Sequence, residues 1–305
     1  MKIKVIVTPK NGVLDPQGKA IQQTLNSMNF IDVSEVRQGK YFEIETDLKD
    51  EKDAKNNVED MCKKLLANLV IEDYKILLMK SSVIIFPGSN CDRDMDVALK
   101  KFGFKNKMVW HNDNVIPKSD LVVLPGGFSY GDYLRCGSIA AKSNIINSVI
   151  EFANKGGLVI GICNGFQILI ETGLVTGALL RNKYLKFICK NIFVKANKTQ
   201  NKYFNKIKKH ILELHIAHND GNYFCSQDDL NSMQDNDQIA VRYCDSNGEI
   251  SEKSNPNGSI QNIAGVFNEK KNILGMMPHP ERVIDNCLSS NDGSYFFENL
   301  LSNMK

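Results

Sequence analysis

The segment that most constrains the fold is a short apolar run, Leu158-Val-Ile-Gly-Ile, which ends at a cysteine and continues into a helical pattern. Gly161 and Gly165 lie two residues on either side of Cys163. Because glycine has no β-carbon, this spacing permits the sharp strand-to-helix turn of a nucleophile elbow, which presents the sulfur above the edge of a sheet. The helix that begins at Asn164 would point unpaired N–H groups at the site and stabilise negative charge there. The segment therefore predicts an α/β sheet with Cys163 as a candidate nucleophile.

Length and composition indicate an ordinary globular protein of two domains. The chain has 305 residues, of which 42% are hydrophobic and 24% are charged, and each half is long enough to bury a core of its own. No apolar run approaches the roughly 20 residues that a membrane span needs. The first ten residues resemble a strand and lack the apolar core of a signal peptide. These features predict a cytoplasmic protein that does not associate with a membrane.

The cysteines and the net charge exclude several classes of function. The eight cysteines are scattered without a Cys-x-x-Cys pair, so the sequence predicts reduced thiols, with neither a zinc ribbon nor a disulfide framework. A net charge of +3 is too small to indicate a nucleic-acid-binding protein. No cluster of metal ligands is evident, and we expect no metal site.

Residues 1–80 predict a small α+β domain. Strands are predicted at residues 3–8, 41–46 and 74–79, and a helix is predicted to begin at Asp15-Pro16, a good N-cap and first-turn pair. Two sets of apolar residues have helical spacing: Ile21, Leu25 and Met28 in the first helix, and Ala54, Val58, Met61 and Leu65 in the second. So few strands leave exposed sheet edges, which favours pairing with another copy or with a partner.

Residues 82–305 predict a second domain, an open and mainly parallel α/β sheet. Short buried strands at residues 83–86, 121–124 and 158–162 alternate with helical patterns, which is typical of such sheets. Ligands of these folds bind at the carboxyl ends of the strands. The site is therefore expected where the second and third of these strands end, at Pro125-Gly126-Gly127 and at Cys163.

A histidine and a carboxylate that could serve Cys163 follow another predicted strand, residues 273–277. His279 and Glu281 lie two positions apart in Pro-His-Pro-Glu, so in an extended segment their side chains point the same way. The carboxylate would fix the imidazole tautomer while the other ring nitrogen meets the sulfur. Backbone N–H groups of the Gly126-Gly127 turn and of Asn164 could form an oxyanion hole. His279 alone could equally be a satisfied core histidine, and the glycine turn an ordinary turn.

Together these motifs resemble the class I glutamine amidotransferases. The resemblance is closer to one family, the glutaminase subunit (PurQ) of phosphoribosylformylglycinamidine synthase, and covers residues 82–305. It rests on the segments Val83-Ile-Ile-Phe-Pro-Gly-Ser-Asn-Cys-Asp, Leu124-Pro-Gly-Gly-Phe-Ser-Tyr-Gly-Asp-Tyr-Leu-Arg, Gly177-Ala-Leu-Leu-Arg-Asn, Asn255-Pro-Asn-Gly-Ser and Met277-Pro-His-Pro-Glu-Arg. One departure is Ala217-His-Asn-Asp-Gly, where the family more often has Gly-Glu after the histidine.

The N-terminal domain resembles the small accessory subunit (PurS) of the same enzyme. The matching segments are Pro9-Lys-Asn-Gly-Val-Leu-Asp-Pro-Gln-Gly, Val36-Arg-Gln-Gly-Lys and Val70-Ile-Glu-Asp-Tyr. The chain is therefore similar to a fusion of the two subunits. The resemblance implies self-association through residues 1–80 and a bridge to a large synthetase subunit.

The resemblance also implies roles for individual residues. By matching position, Cys163 would be the nucleophile, His279 the general base and acid, and Glu281 its orienting partner. Gly127, Asn164 and Gln167 would hold the glutamine substrate. Ammonia from glutamine would pass to the separate synthetase subunit, on which ATP and magnesium are expected. This chain has no phosphate-binding Gly-x-x-x-x-Gly-Lys-Ser/Thr motif, and no cofactor is expected on it.

Other interpretations of the sequence remain open. Cys91 also follows a strand and a glycine, but it lacks the Gly-x-Cys-x-Gly frame and is predicted to be structural or interfacial. His215 and His218 could be metal ligands, although a surface or loop role is favoured. Two alternative functions are a DJ-1-like cysteine hydrolase or chaperone, and an assembly subunit without catalytic activity.

Overall fold

The computed structural model describes residues 2–48, 50–77, 79–198 and 200–304. It divides the chain into two compact units, Met1–Leu78 and Met79–Lys305, and each unit has a hydrophobic core of its own. The sequence predicts domains at 1–80 and 82–305, so the predicted boundary lies a few residues after the one in the structure. None of the described helices is both long enough and apolar enough to cross a membrane.

The N-terminal unit is a three-stranded antiparallel sheet in the order β2-β1-β3, with two helices. Alternate residues of the central strand, Ile3, Val5 and Val7, are buried against Ala54 and Val58 of the second helix. The predicted sequence of strand, helix, strand, helix and strand is therefore confirmed. The elements are β1 (Lys2–Pro9), α1 (Pro16–Ser27), β2 (Lys40–Glu45), α2 (Glu51–Met61) and β3 (Glu72–Leu77).

The helical spacing predicts the buried residues of the two helices only in part, since Ala54 and Val58 are buried and other apolar residues are not. Helix α1 is capped as expected, since the Asp15 carboxylate accepts a hydrogen bond from the Gly18 N–H at 2.9 Å. Its apolar face is nevertheless exposed, at 43% for Ile21 and 62% for Met28, because α2 supplies the helical side of the core.

Helix α2 continues into a π-helical turn, Cys62–Leu66. A π turn holds one more residue than an α turn and so rotates the residues that face the sheet. Cys62 is consequently buried, whereas Met61 and Leu65, which the spacing placed on the apolar face, are exposed.

The second unit is built on one sheet of nine strands in the order β10-β9-β12-β13-β14-β7-β6-β4-β5. The five strands from β14 to β5 are parallel, which confirms the predicted open α/β sheet. The four strands from β10 to β13 extend it with antiparallel pairs. Strands β6 and β7 are buried along their whole length. They are paired in parallel, so their carboxyl ends meet at the same edge of the sheet.

The first part of this unit contains β4 (Lys80–Ile85), α3 (Asp92–Lys101), β5 (Lys105–Trp110), β6 (Leu121–Leu124), α4 (Asn144–Asn154), β7 (Leu158–Ile162) and α5 (Asn164–Glu171). The middle part contains β8 (Ala178–Leu180), β9 (Ile188–Ala196), β10 (Ile211–His218), β11 (Asn222–Phe224) and α6 (Gln227–Asp235), of which β8 and β11 form a separate ribbon. The last part contains β12 (Ile239–Cys244), β13 (Ile263–Phe267), β14 (Ile273–Met276) and α7 (Gly293–Asn303).

We expect residues 79–305 to fold when expressed without the N-terminal unit, because their core is made within the second unit. Circular dichroism should show a single cooperative thermal transition and retained helical signal. Loss of the transition, or aggregation of the truncated protein under conditions in which the full chain is soluble, would show that the two units share one folding core.

Candidate active site

Cys163 occupies the tight turn between β7 and α5. Its backbone has φ 50° and ψ −105°, an unfavourable conformation for a residue with a side chain, and strain of this kind persists only where the surroundings enforce it. The enforcing contacts are close. The Cys163 N–H donates to the Met276 carbonyl at 2.8 Å, and a β-carbon on Gly165 would lie 1.9 Å from the Leu124 carbonyl oxygen. The glycine at position 165 therefore lets the helix begin directly against the end of β6.

Cys163 is 5% exposed, and its sulfur lies beside the end of strand β10. Its thiol donates to the Ala217 carbonyl oxygen at 3.7 Å. The first turn of α5 begins one residue later, so unpaired N–H groups and the helix dipole are directed at the sulfur. The sulfur thus lies between a helix N-terminus and the segment that begins at Ala217.

His279 and Glu281 form a buried pair in the loop after β14, where Pro280–Arg282 is a 3₁₀ turn and not the extended segment that the sequence predicts. His279 Nδ1 and Glu281 Oε1 are 2.6 Å apart, and the two residues are 1% and 2% exposed. The His279 N–H donates to the His215 carbonyl at 2.8 Å, which ties the loop to β10. The Nδ1 contact leaves Nε2 as the second ring nitrogen, and this atom has no hydrogen-bond partner among the described residues.

The charge on Glu281 controls the protonation of His279. Burial alone would lower the pKa of the imidazole, but the adjacent carboxylate and the nearby Cys163 sulfur outweigh it and raise the pKa well above its ordinary value. A protonated imidazole beside a sulfur stabilises the thiolate by Coulomb attraction. The structure therefore brings the three residues proposed as a triad into one buried group.

The Gly126-Gly127 turn lies against this group. A β-carbon on Gly126 would lie 2.6 Å from His279 Cε1, so only glycine leaves room for the ring. Gly127 has φ +140°, and its N–H makes no hydrogen bond to the residues that the structure describes. A free N–H at the sheet edge is the feature that an oxyanion hole requires.

Asn164 and Gln167 hold the walls of the site together. Asn164 Oδ1 accepts from the Ser129 N–H at 3.1 Å, and its Nδ2 donates to Gln167 Oε1 at 2.8 Å. Gln167 Nε2 donates to the Asp220 carbonyl at 2.8 Å. Both side chains are buried. They therefore connect helix α5 to the segments that contain Ser129 and Asp220 before any substrate arrives.

The structure corrects the expectation for the two histidines of β10. The surface or loop role is wrong for His218, which is 3% exposed and lies at the end of a strand. Burial, helped by the charge of His279, lowers the pKa of His218 to about 3. His218 Nδ1 contacts Asn182 Oδ1 at 3.1 Å, whereas His215 Nε2 contacts Ser289 Oγ at 2.6 Å. Their spacing of three in a strand places the two side chains on opposite faces, which does not suit a shared metal.

Cys91 lies in the site, although the sequence predicts a structural or interfacial role for it. Its sulfur, a nitrogen of His279 and an oxygen of Glu281 lie within 4.8 Å of one another, an arrangement that could in principle hold a metal ion. His279 Nδ1 and Glu281 Oε1 are hydrogen-bonded to each other, however. In addition, Arg282 Nη2 donates a hydrogen bond to Cys91 Sγ at 2.9 Å. A guanidinium at the sulfur disfavours a second cation, so the residues fit a histidine–carboxylate pair better than a metal centre.

Two family models match the chain. The model described as the CobB/CobQ-like glutamine amidotransferase domain matches residues 79–295. The model described as PurS, phosphoribosylformylglycinamidine (FGAM) synthase, matches residues 2–80. The two matches together cover nearly the whole chain and follow its division into two units.

Individual relatives agree with the family models. A protein of Pelagibacter ubique named phosphoribosylformylglycinamidine synthase subunit PurQ is 71% identical over 227 residues, which is 74% of this chain and 100% of the relative. A protein of the same name from Chlorobaculum parvum is 46% identical over 224 residues, 73% of this chain and 89% of the relative. A chain in the structure of PurLQS from Thermotoga maritima is 38% identical, with a TM-score of 0.66 over 75% of this chain and 100% of that chain.

We expect Glu281→Gln to lower the pKa of His279, because the neutral amide removes the attraction that opposes burial. In the wild type the imidazolium persists up to the raised pKa of His279. The variant should therefore lose the imidazolium at a lower pH than the wild type. NMR titration of labelled histidine reports this pKa directly, and the rate of Cys163 alkylation by iodoacetamide against pH reports the paired thiolate. Glu298→Gln, a change at a half-exposed residue, is the matched control. An unaltered His279 titration in Glu281→Gln would contradict the assigned pairing.

Proposed function

Because this chain belongs to the PurQ family of glutamine amidotransferase subunits and begins with a PurS domain, we propose that Cys163, His279 and Glu281 form its glutamine-hydrolysing triad. The chain is the glutaminase component of phosphoribosylformylglycinamidine synthase in purine biosynthesis, fused with PurS. The observation that supports the triad most strongly is the buried 2.6 Å contact between His279 Nδ1 and Glu281 Oε1, close to a cysteine in a strained elbow.

The reaction begins with attack of the Cys163 thiolate on the side-chain amide carbon of glutamine. The carbonyl oxygen becomes an oxyanion, and His279 protonates the nitrogen as the C–N bond breaks, which releases ammonia and leaves a glutamyl thioester. Neutral His279 then takes a proton from water, whose oxygen attacks the thioester carbon. The C–S bond breaks, and glutamate and the thiolate are released. Glu281 keeps Nδ1 protonated throughout, so that Nε2 is the atom that exchanges the proton.

Two backbone groups would stabilise the oxyanion. The Gly127 N–H is free, and the Asn164 N–H lies at the first residue of α5, where helical N–H groups have no partner within the helix. Oriented N–H donors contribute about 2.7–4 kcal/mol each to such transition states. The side chains of Asn164 and Gln167 support the walls of the glutamine pocket through the contacts described above.

The ammonia would be consumed by a separate synthetase subunit, which we propose as the partner of this chain. One relative was solved within PurLQS from Thermotoga maritima, and this sequence has no phosphate-binding loop with which to use ATP. ATP and magnesium would therefore bind the partner, and the assembled enzyme would act in the cytoplasm without nucleic acid or membrane.

The N-terminal unit would provide contacts for assembly. It exposes several large apolar side chains, and a small domain that leaves such groups exposed is suited to self-association or to binding a partner. The most exposed of them are Leu14, Met28, Phe30, Ile31, Leu65 and Val70, at 55% to 84%. Residues 1–80 would thus link copies of the chain and help join glutaminase to synthetase.

Glutamine hydrolysis also separates this proposal from the two alternatives. A DJ-1-like hydrolase or chaperone has no need of the His279–Glu281 pair, which is buried at a separation of 2.6 Å. If the chain were an assembly subunit without catalytic activity, loss of the Cys163 sulfur would not change the activity of the assembled enzyme. Neither alternative accounts for a buried histidine–carboxylate pair beside a strained cysteine.

Cys163→Ala should abolish glutamine-dependent synthesis by the assembled enzyme, because the thioester cannot form, while synthesis from added ammonia continues. Loss of one triad member commonly costs about 10⁴-fold or more in rate. Cys225→Ala, a buried cysteine after β11, is the matched control and should retain both activities. Glutamine-dependent turnover near the wild-type rate in Cys163→Ala would refute the triad.

We expect the chain alone to release glutamate slowly and the assembled enzyme to release it faster, since rotation of the Gly126–Gly127 peptide could aim the Gly127 N–H at or away from the oxyanion. Glycine makes such a rotation inexpensive. Steady-state glutamate release by the chain, measured with and without synthetase, its ribonucleotide substrate and ATP, tests this gating. Equal rates in all conditions would exclude gating and leave the amidotransferase activity intact.

A further inference from the structure

We propose that Cys91 and Arg282 are a positioning pair that holds His279 in its catalytic orientation. This inference rests on the proposed role of His279 as the base and acid of the triad. It concerns two residues that the triad does not use, one from the segment after β4 and one from the loop after β14. The pair acts on His279, and neither residue needs to touch glutamine.

Cys91 is fixed at the start of helix α3 and packs beside the imidazole. The residue is 2% exposed, and its N–H donates to the Gly126 carbonyl at 3.3 Å. Its sulfur lies within 4.8 Å of a His279 nitrogen. A β-carbon on Gly126 would lie 3.3 Å from this sulfur and 2.6 Å from His279 Cε1. The sulfur, the ring and the glycine backbone are therefore in one closely packed layer.

The hydrogen bonds of the Cys91 thiol specify its orientation. The S–H donates to Asn90 Oδ1 at 3.4 Å, and the sulfur accepts from Arg282 Nη2 at 2.9 Å. A cationic donor gives the stronger of the two bonds. The sulfur is consequently held on both sides, and its contact with His279 has a fixed direction.

Arg282 connects the catalytic loop to helix α3. Besides its bond to Cys91, its Nε lies 3.4 Å from the Asp94 carboxylate. The guanidinium fork contacts two residues of the same helical turn, a geometry that lysine cannot reproduce. Arg282 directly follows Glu281, so this connection restrains the segment from which both His279 and Glu281 project.

The single bond from Glu281 does not by itself fix the tilt of the imidazole about the Nδ1–Oε1 direction, and the Cys91 sulfur packed beside the ring restricts that tilt together with the Gly126 backbone. The charged or titratable groups that face His279 are Glu281 and Arg282 of its own loop, Cys163 of the elbow, Cys91 of α3, and His215 and His218 of β10. Of these, Cys91 also helps to raise the pKa of His279. A small misplacement of a catalytic group costs orders of magnitude in rate.

The test measures glutamate release by the full chain assembled with its synthetase. Cys91→Ala should lower kcat by roughly tenfold with little change in KM, because substrate contacts remain while the base is misaligned. The alkaline limb of the pH profile should move to lower pH, since one interaction that favours the imidazolium is lost. Cys91→Ser, whose hydroxyl still accepts from Arg282, should recover most of the rate.

A double-mutant cycle tests whether the two residues act as one unit. Arg282→Met should lower kcat by a similar factor, and the double variant Cys91→Ala/Arg282→Met should be no slower than the slower single variant. If the kcat losses of the two single variants multiply in the double variant, the residues act independently and the pairing is wrong. Cys225→Ala is the matched control for removal of a buried thiol.

Two further measurements keep the outcomes distinct. Synthesis from added ammonia and the thermal unfolding midpoint show whether each variant folds and assembles; if Cys91→Ala does not, Cys91→Ser and Arg282→Met carry the test through kcat and the pH profile. Activity in Cys163→Ala would refute the triad itself. If Cys163→Ala is inactive while the Cys91 and Arg282 variants match the wild type in kcat and pH profile, only the positioning role is wrong.

Discussion

The buried contact between His279 and Glu281 is the interaction on which the site depends. Burial alone would lower the pKa of the His279 imidazole, and the carboxylate 2.6 Å away compensates for the hydration that the ring loses. Such a pair is stable only if its geometry is fixed from outside. The bond from the His279 N–H to β10 and the glycine at position 126 supply that restraint.

The nine-stranded sheet supplies the rest of the geometry through the ends of its strands. Cys163 follows β7, the loop of His279 follows β14, and the Gly126-Gly127 turn follows β6, and these strands are neighbours. Three segments that are far apart in the chain therefore meet at one edge. The close approach of α5 to β6, which only Gly165 allows, brings the helix N-terminus to the sulfur. Helix, turn and imidazole thus surround the Cys163 sulfur.

The N-terminal unit has a different physical character. Its core is small and lies between β1 and α2, while the apolar side of α1 is exposed. The fusion ties this small PurS domain covalently to the glutamine amidotransferase domain.

The sequence by itself determined the local chemistry. Glycines around Cys163 required a tight turn, and short apolar runs fixed the buried parallel strands. Pro-His-Pro-Glu supplied a histidine and a carboxylate two positions apart, although a 3₁₀ turn and not an extended segment brings them together. These features depend on neighbours in the chain, so pattern and spacing suffice to predict them. The cap of α1 at Asp15 is predictable for the same reason.

Only the tertiary structure decided which distant residues meet. Cys91 has no local mark that separates it from a structural thiol, and its contact with Arg282 joins positions 191 residues apart. His218 is buried because it lies on the inward face of the edge strand β10, and the π turn after α2 replaced Met61 with Cys62 in the core. Burial and long-range contacts arise from the packing of whole elements, and a single sequence carries their local propensities without the distances between them.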